Sequence, residues 1–479
     1  MNLSMSFPGN RFLHIVLFVL VGLTIATYYH RYPTGDDAWI AEESYWLSKN
    51  GIVRSEFFRG ILGWEKQLLV SHKLFIAIGA VLIKLFGHQL PTVQLTGLLF
   101  FCLLVFTVTS YIRKREYSYN SPYLLAILIL IFSNRFLIRT SFENRPDMVV
   151  AALGFSSFLC LIASRHKLRN AAFGGLLAGL ALLSHLNGVI YLLAGVGLLV
   201  YQRTFKAAVL FSIIAGCTSM TYFIDVLMAD NGIAVWLSQF KSDPATQNAF
   251  TITSKLLVMA TYPRLFFYTP EHAALSILFV YIVWHQRKIL NTIPADLKIY
   301  SLLLFISFWI LTKSPSGSYL TLFIPFMLLI IYELYRKKPF TSLGLKFVLI
   351  LYMVIGLYGT IEIIYTNNSQ EYIPVAYKKL RSHLSSTERG LVPLTFFFNE
   401  YEQYAYLLCH ENFTYFSNRP GDLGPWANDR KVDFILMDYV YRPEPYYPPA
   451  GTKQLPFYNL SFFDGRFAIY KHQPSTSGK

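Results

Sequence analysis

For its first 365 residues the chain alternates long apolar stretches with short basic ones, and then the alternation stops. Mostly apolar runs occupy 12–29, 92–112, 121–138, 147–164, 170–186, 187–203, 206–226, 271–286, 297–313, 319–335 and 343–365. A helix needs about 20 such residues to cross a bilayer, so these runs predict about eleven transmembrane helices. The stretch 68–86 is also apolar, but Lys73 and Lys84 bracket a core of only about ten residues, a length that suits a helix lying in the interface or re-entering. The first run follows Arg11 and is not followed by a small-residue cleavage site, which predicts a retained helix and not a removed signal peptide.

Basic residues orient the spans, because cytoplasmic loops of membrane proteins carry the excess of Lys and Arg. If 68–86 lies on the surface and the N-terminus is cytoplasmic, Arg113-Lys114-Arg115, Arg165 to Arg169, Arg203 with Lys206, Arg287-Lys288 and Arg336-Lys337-Lys338 all fall on the inner side. If 68–86 crossed, the clusters just after it would flip outward. The outer face then holds the longer polar pieces 30–91, 139–146, 227–270 and everything after 366.

That last piece has more Pro and charge and no long apolar run. The segments 394–398 and 432–437 predict strands, and 458–463 and 466–470 flank Asp464-Gly465, a two-residue hairpin signal. The expected architecture is an all-α polytopic membrane domain over 1–365, with interfacial helices, and a small extracytoplasmic α/β domain over 366–479.

Composition agrees. The chain is 54% hydrophobic and 14% charged, against about 25% charged in soluble domains. The formal net charge of +15 sits in short clusters between apolar runs, which fits loop orientation. A nucleic-acid partner would need a basic stripe on a folded surface. The four cysteines include no pair at zinc-site spacing.

Candidate chemistry lies in the outer loops. Loop one opens with Pro33-Thr34-Gly35-Asp36-Asp37-Ala38, and a helix is expected from Asp36 or Asp37 to Lys49-Asn50-Gly51, with Gly51 past its end. Asp36 suits a helix cap, but an acidic pair immediately outside a span is costly there and marks a site. Loop two packs Glu143, Arg145 and Asp147 into five residues between two spans, which reads either as a structural ion pair or as part of the same site. Cations on that side are His72 and Lys73 at the start of the surface helix, Arg264 in the third loop and Lys313 at the end of a span. Each alone suits snorkelling; together, beside acidic loops, they suit a phosphate. Ser184-His185-Leu186-Asn187-Gly188 reads as a polar turn facing the same way, with His185 able to help hold a phosphate.

These residues resemble the GT-C superfamily of membrane glycosyltransferases, above all the protein O-mannosyltransferase and lipid A aminoarabinose transferase families. The family pattern is an acidic pair after the first helix, here Asp36-Asp37-Ala38 with Asp37 where Glu is usual. It continues with a surface helix ending in Leu85-Phe86-Gly87, the triplet Arg145-Pro146-Asp147, and Tyr319 with Pro325 near a helix start. The resemblance runs over about residues 12–335.

It implies an inverting glycosyltransferase that takes a sugar from a polyprenyl phosphate and gives it to a hydroxyl on the extracytoplasmic face, in a multi-pass protein of the bacterial plasma (inner) membrane. Asp36 would be the base and Asp147 would orient the acceptor or support the site. Asp37, Glu143, Arg145, His72, Lys73, His185, Arg264, Lys313 and Tyr319 would contact substrate, with Lys73 first in line for the leaving phosphate. Some members use a divalent cation and others none. Asp36, Asp37, Glu143 and Asp147 have the oxygen atoms to bind Mg2+ or Mn2+, but no metal site is expected. The acceptor is open between protein, lipid and glycan, and nucleic acid is not expected. The competing readings are a transporter or flippase for a lipid-linked saccharide, which would place broken or charged helices at mid-membrane, and a glycan polymerase or ligase.

Overall fold

The structure is a computed structural model that describes residues 10–163, 166–242, 251–312, 316–339, 342–417, 419–441 and 443–473. It is mostly helical, with one small sheet near the C-terminus. The first seven helices are α1 (Asn10–Ala26), α2 (Gly35–Asn50), α3 (Lys73–Phe86), α4 (Leu90–Glu116), α5 (Pro122–Phe132), α6 (Arg135–Thr140) and α7 (Asp147–Leu161). There follow α8 (Lys167–Ser184), α9 (Val189–Tyr201), α10 (Phe205–Met220), α11 (Ile224–Met228), α12 (Gly232–Ser242) and α13 (Ile252–Thr261). Then come α14 (Pro270–His285), α15 (Ala295–Leu311), α16 (Ile324–Lys337) and α17 (Leu343–Ser369).

Each of the eleven apolar runs carries a helix; α4 and α17 outrun their stretches, whereas most of the others are shorter or broken. Among the described residues three are long and apolar enough to cross a membrane: Leu90–Glu116, Phe205–Met228 and Leu343–His383. A fourth would be the pair Ile252–Phe267 and Pro270–His285, bent by 91°. Four shorter apolar helices include α1, α5 and α7. The expected count of eleven full spans is therefore coarser in the structure: apolar helices in every run, three of full length.

The breaks have local causes. Asn134 ends the run 121–138 as a single helix, because its side-chain carbonyl accepts the Leu137 N–H (2.9 Å) and caps α6. Its amide donates to the Tyr352 hydroxyl on α17 (3.1 Å). Gly356 brings α17 against this break so closely that an added Cβ would lie 1.6 Å from the Ser133 carbonyl oxygen. The 14 residues of α3 span only about 21 Å at 1.5 Å per residue, short of a hydrocarbon core of about 30 Å. Loop 227–270, read in sequence only as a polar connection, contains α12 and α13.

After α17 come α18 (Ile373–Lys379), α19 (Phe397–Glu400), α20 (His410–Phe416) and α21 (Leu423–Asp429), together with six strands. The strands are β1 (Arg389–Val392), β2 (Tyr406–Cys409), β3 (Phe434–Asp438), β4 (Gln454–Leu455), β5 (Tyr458–Phe463) and β6 (Phe467–His472), in the order β2-β1-β3-β6-β5-β4. β1 pairs in parallel with β2 and β3, and the remaining pairs are antiparallel. The hairpin at Asp464-Gly465 forms as expected, with Gly465 at φ +94°. The segment 394–398 is a correction: it holds a 3-10 turn and the start of α19, not a strand.

Period-two alternation divides the sheet between two cores. Val392, Leu407, Phe434, Leu436 and Ile469 join the apolar core of the helical body. Their neighbours Leu391, Leu408, Ile435, Met437 and Tyr470 form a second core with Phe413, Leu423 and Trp426. A sheet covered on both faces explains why β3 runs Phe434-Ile435-Leu436-Met437 without polar alternation.

Close helix approach is testable at two glycines. Alanine normally stabilises an exposed helix interior relative to glycine by about 0.5–1 kcal/mol. Gly216→Ala, with nothing within 4 Å of the new Cβ, should hold or slightly raise the thermal midpoint of the purified protein. Gly356→Ala should lower it by several degrees, and equal midpoints would refute the packing at Ser133.

Candidate active site

The site begins with a tie between two loops. Asp37, the third residue of α2, is fully buried. One carboxylate oxygen accepts from the Thr34 N–H and from the Thr34 hydroxyl (3.1 Å), closing a capping box. The other accepts the Asn144 N–H (2.5 Å), and the Asn144 amide donates to the Asp37 carbonyl (3.0 Å). Burial and the nearby charge of Glu143 push the Asp37 carboxyl up to about 7, against the pull of the hydrogen bonds from Asn144 and Thr34. Loop two is held from below by buried Arg31, which donates to the carbonyls of Ile138 (3.2 Å) and Arg139 (2.9 Å). Glu143 pairs with Arg139 at 2.7 Å.

This tie sets Asp36, at the start of α2, opposite Asp147, in the first turn of α7. Arg145 lies between them, its Nη1 on the Asp36 carboxylate and its Nε 3.0 Å from Asp147. Burial works against its charge, but Asp147 and Asp36 more than offset that and hold the guanidinium firmly protonated. Asp147 is buried, whereas the Asp36 side chain keeps 42% of its surface.

All three line one cavity of about 640 Å³, within the range of small-molecule sites. Leu182, Leu183, Leu186, Val189 and Ile190 make one wall apolar, and Trp39, Trp64 and Leu68 form another. His72, His185 and Tyr319 also line it. The imidazoles of His72 and His185 stack at 4.8 Å, and Tyr319 meets His185 edge-on at 5.8 Å. Burial, with His185 beside it, lowers His72 to about 3, so it is neutral at physiological pH. His185 accepts the Asn187 N–H on Nδ1 (3.0 Å), which places its proton on Nε2 when the ring is neutral.

Other expected residues lie elsewhere. Lys73 does not line the cavity: its Nζ is 2.5 Å from Asp225, donates to the Leu69 carbonyl (2.9 Å) and lies over the Tyr222 ring. Arg264 is exposed in the 3-10 stretch Tyr262–Phe267, over the Tyr268 ring. Asp37 is taken up by the loop tie, and Glu143, paired with Arg139, lines a second, smaller cavity. Lys313 is outside the described residues. The four carboxylates do not form a ligand set for a divalent cation. Asp37 and Glu143 are committed to the tie and to Arg139, and a guanidinium stands between the other two. Among the described residues no three His, Cys, Asp or Glu side chains gather closely enough to hold a metal ion.

Sequence reasoning missed Gln239. It is buried on α12 and lines the cavity. Its carbonyl accepts from the N–H of Leu69 (2.8 Å) and its amide donates to the Gln67 carbonyl (2.8 Å), pinning the extended wall before His72. Glu43 and Tyr222 also line the cavity. Nothing local marks Gln239, because its partners are backbone groups far away in the chain.

No family model matches the chain, and no curated protein matches it. Solved structures do. ArnT from Cupriavidus metallidurans in the apo state superposes with a TM-score of 0.60 at 11% identity, over 98% of this chain and 99% of that one. The same protein bound to undecaprenyl phosphate gives 0.60 at 12%, with the same coverage. The mycobacterial arabinofuranosyltransferase AftD gives 0.52 at 12%, over 98% of this chain and 40% of its own. The chain thus has the fold of GT-C glycosyltransferases, the fold its motifs led us to expect.

The His72 ring gives a pH signature. A histidine held at about 3, against 6.5 unfolded, adds stability that is full above 6.5 and lost as pH falls toward 3. His72→Phe keeps an aromatic stack without a titrating group. Its thermal midpoint should fall less than that of the wild type between pH 7 and pH 4.5, and parallel curves would show that His72 is not held neutral.

Proposed function

We propose that the chain is a multi-pass membrane glycosyltransferase that moves a sugar from a polyprenyl-phosphate carrier to an acceptor hydroxyl, with inversion at the anomeric carbon. The observation that carries this reading is the meeting of Asp36 and Asp147, from two separate loops, in one largely apolar cavity with Arg145 between them. The apolar wall suits a prenyl chain, and the polar end suits the sugar phosphate. The undecaprenyl phosphate bound to the similarly folded ArnT supports a carrier of this class.

In the proposed step the Asp36 carboxylate takes the proton from the acceptor hydroxyl. The acceptor oxygen forms a bond to the anomeric carbon as the carbon–oxygen bond to phosphate breaks, and polyprenyl phosphate leaves with that electron pair. Phosphate is a good leaving group, so the need is for charge stabilisation. Arg145 has five N–H donors, of which Nε serves Asp147 and Nη1 serves Asp36. A donor phosphate competing for this guanidinium would loosen Asp36 and leave its carboxylate free to act as the base. The neutral His185, with its proton on Nε2, and Tyr319 add donors to the same end. Asp147 keeps Arg145 in place. Lys73, paired with Asp225, would support the wall before it touches substrate.

The charge pattern of the loops supports a cytoplasmic N-terminus, with the site and the region 366–479 on the opposite face of a bacterial inner membrane. A donor carried by lipid fits that side, since nucleotide sugars stay in the cytoplasm. We take 366–479 as a domain that closes over loop one.

Asp36→Asn should insert and fold like the wild type yet lose transfer from a radiolabelled polyprenyl-phosphate sugar, by about 10²–10⁴-fold if it removes a general base. Arg145→Lys should retain less than a tenth of the activity, because a single ammonium cannot serve Asp36 and Asp147 in fork geometry. Full activity in Asp36→Asn would remove it as the base.

A further inference from the structure

A second cavity opens beside the first, of about 220 Å³, and Arg145 and Ser316 line both. Thr34, two residues before Asp36, lines the second. A group seated there would reach Asp36 across the seam, from a direction other than the apolar wall. We propose that this second cavity is the acceptor subsite and that it takes a neutral, hydroxyl-rich sugar ring. The proposal rests on the glycosyltransferase reading above and names its acceptor class.

The pairing of the lining cations decides between a sugar and an anion. Three arginines line the cavity, which would suggest a phosphate or a carboxylate. Each is already paired: Arg135 with Glu271 (2.7 Å) and Glu362 (2.8 Å), Arg139 with Glu143 (2.7 Å), and Arg145 with Asp36 and Asp147. The lining itself holds these three guanidiniums and two of the carboxylates, Glu143 and Glu271, so an incoming anion reaches a guanidinium only by displacing a carboxylate already on it. Alternating guanidinium and carboxylate edges instead offer donors and acceptors side by side, as vicinal hydroxyls require.

The cavity also has a platform. The Tyr268 ring is 53% exposed, lines the cavity, and has the Arg264 guanidinium 5.6 Å from its centroid. Gly317 lets the backbone come up to this ring, since a Cβ there would lie 2.6 Å from Tyr268 Cδ1. A sugar's C–H face packs on the negative face of such a ring, whereas a phosphate gains nothing from it.

The full chain in lipid nanodiscs can be titrated with methyl glycosides of mannose, glucose and galactose, and with methyl phosphate, by saturation-transfer NMR. At least one glycoside should bind and should not be displaced by methyl phosphate. Tyr268→Ala should weaken it at least five-fold, and Tyr268→Phe should stay within two-fold. Binding of methyl phosphate in competition with the glycosides, equal glycoside affinity in Tyr268→Ala, or no glycoside binding at all would overturn the proposal. Undecaprenyl phosphate titrated into the same nanodiscs separates the two readings. Carrier binding without glycoside binding sinks the acceptor subsite alone, and glycoside binding without carrier binding sinks the donor reading alone.

Discussion

One guanidinium organises the site. Without Arg145, Asp36 and Asp147 would be two carboxylates facing each other beside an apolar wall, and Asp147 would be a buried charge with no partner. Such an uncompensated charge costs about 3–5 kcal/mol, enough to drive the loops apart. With Arg145 in place the two loops can close, and the Asp37–Asn144 tie sets their register. The short sequence Arg145-Pro146-Asp147 thus does a job that no single helix could. It puts a cation and an anion at the mouth of α7, where the helix dipole also favours the acid.

The C-terminal sheet matters to the site through loop one. Glu42 on α2 accepts the N–H groups of Glu56 (2.7 Å) and Phe57 (3.0 Å), so a buried carboxylate folds the loop back on its helix. From the other side, Asn412 on α20 donates to the carbonyl of Arg59 (2.8 Å), and the Cys409 N–H donates to that of Phe57 (3.2 Å). Phe57 packs edge-on to Phe397 and Tyr401. The loop held in this way carries Trp64 and Leu68 into the cavity wall. A continuous core running from α2 into β1, β2, β3 and β6 is the physical reason that the C-terminal region sits on this face of the helical body.

Much of this was legible because it is written locally. Apolar runs long enough for helices, Gly51 at φ +73° after α2, and the Asp464-Gly465 hairpin all follow from residue type and spacing. The acidic loops were legible because charge next to an apolar run is expensive and seldom idle. What was not legible depends on distant partners. The segment 394–398 is apolar enough for a strand, but an apolar run of five has no period to separate strand from turn. β1 and β2 were missed because each is four residues long and buried. Lys73 was read as free for phosphate, since nothing near it announces Asp225, far along the chain.

The same division explains how a fold can persist at 11–12% identity. Helices that face lipid and one another need apolar surface and small residues at close approaches, and many sequences supply both. Their identities drift while the path of the chain stays. The site has no such freedom. Lysine has no fork with which to contact two carboxylates as Arg145 does, and an apolar residue has no oxygen with which to close the capping box of Asp37 and Thr34. The fold therefore carries little information about chemistry. The few charged residues that the fold brings to one cavity carry most of it, and in this chain Asp36, Arg145 and Asp147 come to it from two loops, with Glu43 from α2.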